Sequence, residues 1–178
     1  MKKEPLLFLL VFLTPSISQA VDIQPGTYSC SGTTTYDYEW NEEAKSRNKV
    51  LDESFTASVK VGAQKKNKGS FTIKSQSLKY NTTARYETST YFSGYEYIVN
   101  TNIKSLPGQT KSLKNECATN GWKCTIKQPV TLFGLLKAVN TGEILIKMTY
   151  GLQAYVKEQS PATGFKKRII SKAVCLRQ

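Results

Sequence analysis

A single all-β domain, an antiparallel barrel or strongly curved sheet with one short helix, is the fold class that the sequence predicts, and three observations predict it. Apolar residues recur with period two, not with the helical period of about 3.6, through most of the chain. Four cysteines follow an export leader, and one pair of them would tie the first strand to the last. Ten tyrosines and seven phenylalanines suit pleated, half-buried strands better than helices. A two-sheet sandwich is the alternative.

The chain has 178 residues, of which 1–20 read as a signal peptide and 21–178 as one β domain. Lys2 and Lys3 precede an apolar run from Leu6 to Leu13, and Ser18 and Ala20 stand at small-residue cleavage positions. That run is too short to span a bilayer and no comparable stretch follows, so a soluble periplasmic or secreted protein without an integral membrane segment is expected. The Asn81-Thr82-Thr83 triplet would be glycosylated only in a eukaryotic host.

The first strand begins at Gly26 and contains Cys30; further along, Tyr36, Tyr38 and Trp40 alternate with Asp37 and Glu39. Asn41 to Glu53 is polar and lacks Gly and Pro, which suits a surface helix or a mobile loop. In Ser54 to Val61, Phe55, Ala57, Val59 and Val61 share one face. Gln64 to Gly69 breaks the pattern, and Phe71 and Ile73 resume it, so the two runs read as a hairpin with a basic tip. Tyr80, Tyr86, Tyr91, Phe92, Tyr95 and Tyr97 crowd the middle of the chain, the last two on a strand with Val99.

Between Cys117 and Cys124 lies Asn120-Gly121, the pair favoured in a two-residue type I′ hairpin turn. Such a turn sets the two cysteines directly opposite each other, with Cα atoms about 4.5–5.5 Å apart, a distance a disulfide bridges. The remaining pair is then Cys30 with Cys175, closing a loop of about 145 residues and contributing about 5 kcal/mol on the chain-entropy account. Leu132, Phe133, Leu135, Leu136 and Val139 match helical spacing, and Asn140 to Gly142 supplies a stop, so the short helix is expected over Leu132 to Val139. Ile144, Ile146 and Met148 mark a further strand, and Phe165 to Leu176 the last, with Gly26 to Cys30 as its partner.

Charge is polarised along the mature chain. Val21 to Ser58 carries three basic and seven acidic residues, a net of −4, whereas the rest carries twenty basic and five acidic, a net of +15. Clusters at Lys65, Lys66, Lys68 and at Lys166, Lys167, Arg168 would attract anionic polymers, although lysines at hairpin tips also discourage edge-to-edge pairing.

No enzyme is expected. Histidine is absent, and all four cysteines are accounted for as disulfides. The one acidic cluster, Glu39, Glu42, Glu43, Asp52 and Glu53, has no spacing that defines a carboxylate pair. Neither a metal site nor a cofactor is expected.

The Gly26-Thr27-Tyr28-Ser29-Cys30 opening is similar to the first strands of small exported barrels of lipocalin-like shape, where glycine followed by an aromatic begins the barrel. Its Tyr-x-Cys also resembles periplasmic lysozyme inhibitors, whose cationic target a chain of this charge would repel. Two functional readings follow. In the first, a noncatalytic exported binding protein holds a small molecule or a glycan in the barrel mouth or on an aromatic face formed by Tyr36, Tyr38, Trp40, Tyr95 and Tyr97. In the second, a surface-interaction protein docks on an anionic envelope component or host polymer through the two basic clusters.

Overall fold

The alternation in Ser54–Val61 sends Phe55, Ala57, Val59 and Val61 inward, where all four are buried, and leaves Ser54, Thr56 and Lys60 outward and exposed. The computed structural model describes residues 22–40, 47–88, 94–119, 121–156 and 164–178; the segment expected to be a signal peptide, Tyr91, Phe92 and Asn120 lie outside them. The same alternation runs through eight strands: β1 (Gly26–Trp40), β2 (Arg47–Val61), β3 (Lys68–Ser75), β4 (Tyr80–Thr88), β5 (Glu96–Ile103), β6 (Cys124–Asn140), β7 (Glu143–Val156) and β8 (Gly164–Arg177). Each pairs antiparallel with the next, and β8 returns to β1, so a single closed barrel forms where the sandwich alternative needed two sheets. Closure satisfies both edges of the sheet.

The seam between β1 and β8 places Cys30 opposite Cys175, and the two are bonded across 145 residues of sequence. Two residues on, a Cβ at Gly32 would overlap the Lys172 carbonyl and the Ala173 backbone, so only glycine fits this close approach. At the β2–β3 hairpin, Lys65 and Lys68 exchange backbone hydrogen bonds of 2.7 and 3.1 Å around Lys66 and Asn67. Both central residues have positive φ, 49° and 62°, the signature of a type I′ turn.

Three expectations are corrected. Thr131 to Asn140 is part of β6, not a helix. Val130, Leu132 and Leu136 point inward while Phe133, Leu135 and Val139 point outward, and apolar residues on both faces mimic helical spacing. The one helix among the described residues, α1 (Pro107–Thr119), buries only Leu113 and Cys117 and otherwise exposes polar residues, so it leaves almost no apolar stripe in the sequence. The polar stretch from Asn41 enters β2 at Arg47, while residues 41–46 lie outside the described residues.

Gly121 ends α1 instead of turning a hairpin. It sits at φ 73°, its N–H donates to the Ala118 carbonyl, and the Trp122 N–H donates to that of Cys117, both at 2.9 Å, which is the Schellman arrangement. Cys117 and Cys124 are bonded, with Cα atoms 6.0 Å apart, but they join a helix to a strand.

Side chains fill the barrel. The Tyr86 ring covers Gly69 on the neighbouring strand, and Ile98 and Met148 close over Gly134, so large inward residues occupy the space that glycines leave. Ile23, just before β1, is buried at one end, where β1 begins. Leu106 and Leu113 are buried at the other, where α1 links β5 to β6. Each fully buried side chain of this size contributes about 1.5–3 kcal/mol relative to exposure.

Candidate functional site: the outer wall of β5 to β8

With the interior packed, the surface open to a partner is the outside of the barrel, and it has two unlike sides. Along β1 to β4 the outward residues are Ser29, Ser31 and Thr33, then Thr56 and Lys60, then Ser70, Thr72 and Lys74, then Asn81, Thr83 and Arg85. On the other side the large hydrophobic residues surface. The four exposed ones among the described residues are Phe133 (39%), Val139 (43%), Val174 (42%) and Leu176 (58%), and all stand on β6 and β8.

Strand register brings them together. Lys137 of β6 lies opposite Leu145 of β7, which lies opposite Val174 of β8; nearer the barrel end, Glu143 lies opposite Leu176. Further along, Leu135, Lys147 and Lys172 form one row and Phe133, Thr149 and Ile170 the next. A groove of about 490 Å³ lies over β7 and β8 and reaches onto β1, with Tyr95, Leu145 and Val174 as apolar lining, Lys147 and Lys172 beside them and Ser31 and Thr33 at its β1 edge. The Lys137 ammonium sits 5.4 Å from the centroid of the Tyr95 ring.

The five aromatic residues expected to form one binding face are split by the barrel. Tyr36 points inward, 3% exposed, and its hydroxyl donates to a Glu53 carboxylate oxygen at 2.5 Å. Tyr95 and Tyr97 are half-buried on the outside of β5 and its approach, and the Tyr97 hydroxyl donates to Glu87 at 3.4 Å. β1 and β5 stand four strands apart in the ring, so these residues do not converge. The side chains of Tyr38 and Trp40 lie outside the described residues.

The basic clusters are also separated. Lys65, Lys66 and Lys68 stand at the β2–β3 turn, at the end where β1 begins, beside a shallow groove that Ser70 and Arg85 also line. Lys68 pairs with Glu87 at 2.9 Å, and that hydrogen-bonded ammonium lowers the Glu87 pKa. Lys166, Lys167 and Arg168 open β8 at the opposite end; the side chains of the two lysines lie outside the described residues. Among the described residues no three His, Cys, Asp or Glu side chains gather in a way that could hold a metal ion.

The outward apolar residues are legible in the sequence one at a time, but not as a wall. Phe133 and Val174 are brought onto one wall, two rows apart, only by the pairing of β6, β7 and β8.

No family model and no curated relative matches the sequence. Among solved structures, the chain is similar to the outer membrane protein AlkL, in a solid-state NMR structure in DMPC lipid bilayers. The TM-score is 0.36, at 8% identity over 93% of this chain and 97% of that one. It is also similar to the crystal structure of the outer membrane protein OprG from Pseudomonas aeruginosa, with a TM-score of 0.27 at 8% identity over 87% and 94%. At such scores the likeness carries no argument about what this chain does.

The expectation of a soluble periplasmic or secreted binding protein is corrected. It rested on the want of a long apolar run, and no helix among the described residues is long and apolar enough to cross a membrane. A closed barrel crosses with strands, so that premise says nothing about one. The partner expectations fall with it. Among the described side chains Tyr36 faces the interior while Tyr95 and Tyr97 face outward, and the two basic clusters stand at opposite ends of the barrel.

Proposed function

We propose that the protein is a noncatalytic, membrane-associated barrel that meets lipid with the outer wall of β5 to β8. The observation that carries this reading is the asymmetry of the outer surface, Ser, Thr and charged residues along β1 to β4 and exposed Phe133, Val139, Val174 and Leu176 on β6 and β8. Lys137, Lys147 and Lys172 stand among the apolar residues, where their stems can lie along the wall while the ammonium groups reach phosphate. A surface that is apolar and cationic together complements an anionic lipid leaflet.

Magnitudes favour a joint contribution. Each exposed hydrophobic residue has roughly half its surface left to bury, about 1 kcal/mol apiece, and each lysine near an anionic leaflet contributes about the same. Removing either set should therefore weaken binding strongly.

Flotation of the oxidised protein with phosphatidylglycerol-containing and purely zwitterionic vesicles tests this. The protein should float with the anionic vesicles and retain part of that binding at high salt. The double variant Val174→Asp/Leu176→Asp should stay at the bottom of the gradient with an unchanged circular dichroism spectrum, whereas Lys65→Glu/Lys66→Glu should float normally. Failure of the unaltered protein to float, or loss of flotation only in the turn-lysine variant, overturns the reading.

A further inference from the structure

One acid is buried among the described residues, Glu96, the first residue of β5, at the end where β1 begins. It is 9% exposed, and its Oε2 has no hydrogen-bond partner among the described residues. A buried ionised carboxylate oxygen without a donor is costly, whereas a protonated carboxyl at the same place is not.

The segment 22–25 lies across that end. Ile23 is buried with the core at 3% exposure, and the Gln24 carbonyl accepts a hydrogen bond from the Tyr28 hydroxyl at 2.7 Å. Asp22 brings a second carboxylate to the Glu96 side of the mouth. The other titratable groups there are the phenols of Tyr28 on β1 and Tyr86 on β4, with Arg177 of β8 beside Tyr28. Across the ladder from Glu96, β6 presents Leu136, and the nearby inward positions of β7 are Ile144 and Ile146. Asp22 is the charged group whose field acts on the Glu96 carboxyl.

We propose that Glu96 is a proton-controlled latch for this end of the barrel: while its carboxyl is neutral the segment 22–25 stays seated with Ile23 in the core, and ionisation releases that segment. This does not rest on the membrane reading. Burial first, and the Asp22 carboxylate second, push the Glu96 pKa up from 4.5 to about 7 while a hydrogen bond from Thr88 partly opposes them. The sign follows from linkage. The seated state holds the proton up to about pH 7 and the released state loses it near 4.5, so seating is favoured at low pH. The ratio of released to seated protein should rise about tenfold for each pH unit across that window, then level off.

Isoleucine-methyl NMR with a soluble paramagnetic agent, from pH 4.5 to 8.5, tests the latch. The Ile23 methyl should be shielded at the acid end and broadened by the agent at neutral pH, while Ile73 and Ile169, fully buried away from this mouth, stay shielded throughout and report that the fold is intact. Glu96→Gln should keep Ile23 shielded at every pH. Asp22→Asn, at an exposed position that folding tolerates, should make the transition level off at lower pH. An Ile23 methyl shielded to pH 8.5 in the unaltered protein overturns the proposal, and so does an unchanged transition in either variant.

Discussion

The hydroxyls of Tyr80 on β4 and Tyr150 on β7 meet at 2.7 Å inside the barrel, with their rings edge to face and 5.6 Å between centroids. The two strands are three apart in the ring, so this contact bridges the lumen where a ligand would have to sit. The bond joins two buried polar groups, and its members are unequal. Tyr150 also hydrogen-bonds Ser171, whereas Tyr80 has only Tyr150 among the described residues. Tyr150→Phe should therefore cost about 1–3 kcal/mol and Tyr80→Phe about 1 kcal/mol, with the double variant less destabilised than the two singles added together. Urea unfolding of the four proteins gives the cycle.

Burial also moves these phenols. It pushes Tyr150 and Tyr86 up to about 12 and raises Tyr80 well above its ordinary value. A group that keeps its proton more tightly when folded stabilises below the unfolded value, near 10, and that contribution is lost as pH rises through the folded value. In an alkaline titration followed by tyrosinate absorbance, these three should ionise only as the circular dichroism signal collapses. Their ionisation near pH 10 in folded protein would contradict the packed lumen.

Two glycines should differ sharply in their tolerance of alanine. At Gly134 the added Cβ meets the Ile98 Cδ1 and Met148 Sδ atoms, ends of flexible side chains that can give way, and the cost should be about 1–3 kcal/mol. At Gly32 the obstacle is the backbone of Lys172 and Ala173, so β1 must part from β8. Gly32→Ala should be the more damaging, with accelerated amide exchange along the β1–β8 seam as its signature.

The two disulfides should contribute unequally. Cys30–Cys175 spans 145 residues and Cys117–Cys124 only 7, which on the chain-entropy account corresponds to about 5 and about 2 kcal/mol. Replacing Cys30 and Cys175 by serine should lower the unfolding midpoint more than replacing Cys117 and Cys124. The latter pair should chiefly loosen the junction of α1 with β6, which local amide exchange would report.

Part of this architecture is legible in the chain alone. Phe55, Ala57, Val59 and Val61 alternate with polar residues without exception, so their strand and its buried face follow from period alone. β6 is not legible in that way, because a strand apolar on both faces has no period to detect, and α1 is not because its buried stripe is two residues wide. The Asn120-Gly121 pair marks a real chain reversal but suggests the wrong kind, since a left-handed glycine ends a helix as readily as it turns a hairpin.

By itself the sequence determined the all-β class, the inward residues of the regular strands and the choice of cysteine partners, because side-chain alternation and chain spacing are local properties. Tertiary structure alone decided which aromatic residues face in and which face out: Tyr36 and Tyr95 each precede an acid, Asp37 and Glu96, and only closure of the ring turns one into the lumen and the other onto the wall. It also decided the surface that matters most. Leu145 and Val174 become neighbours, with Phe133 two rows further along the same wall, through the register of three paired strands, and a register between distant segments is set by how the whole barrel closes, which no single stretch of chain encodes.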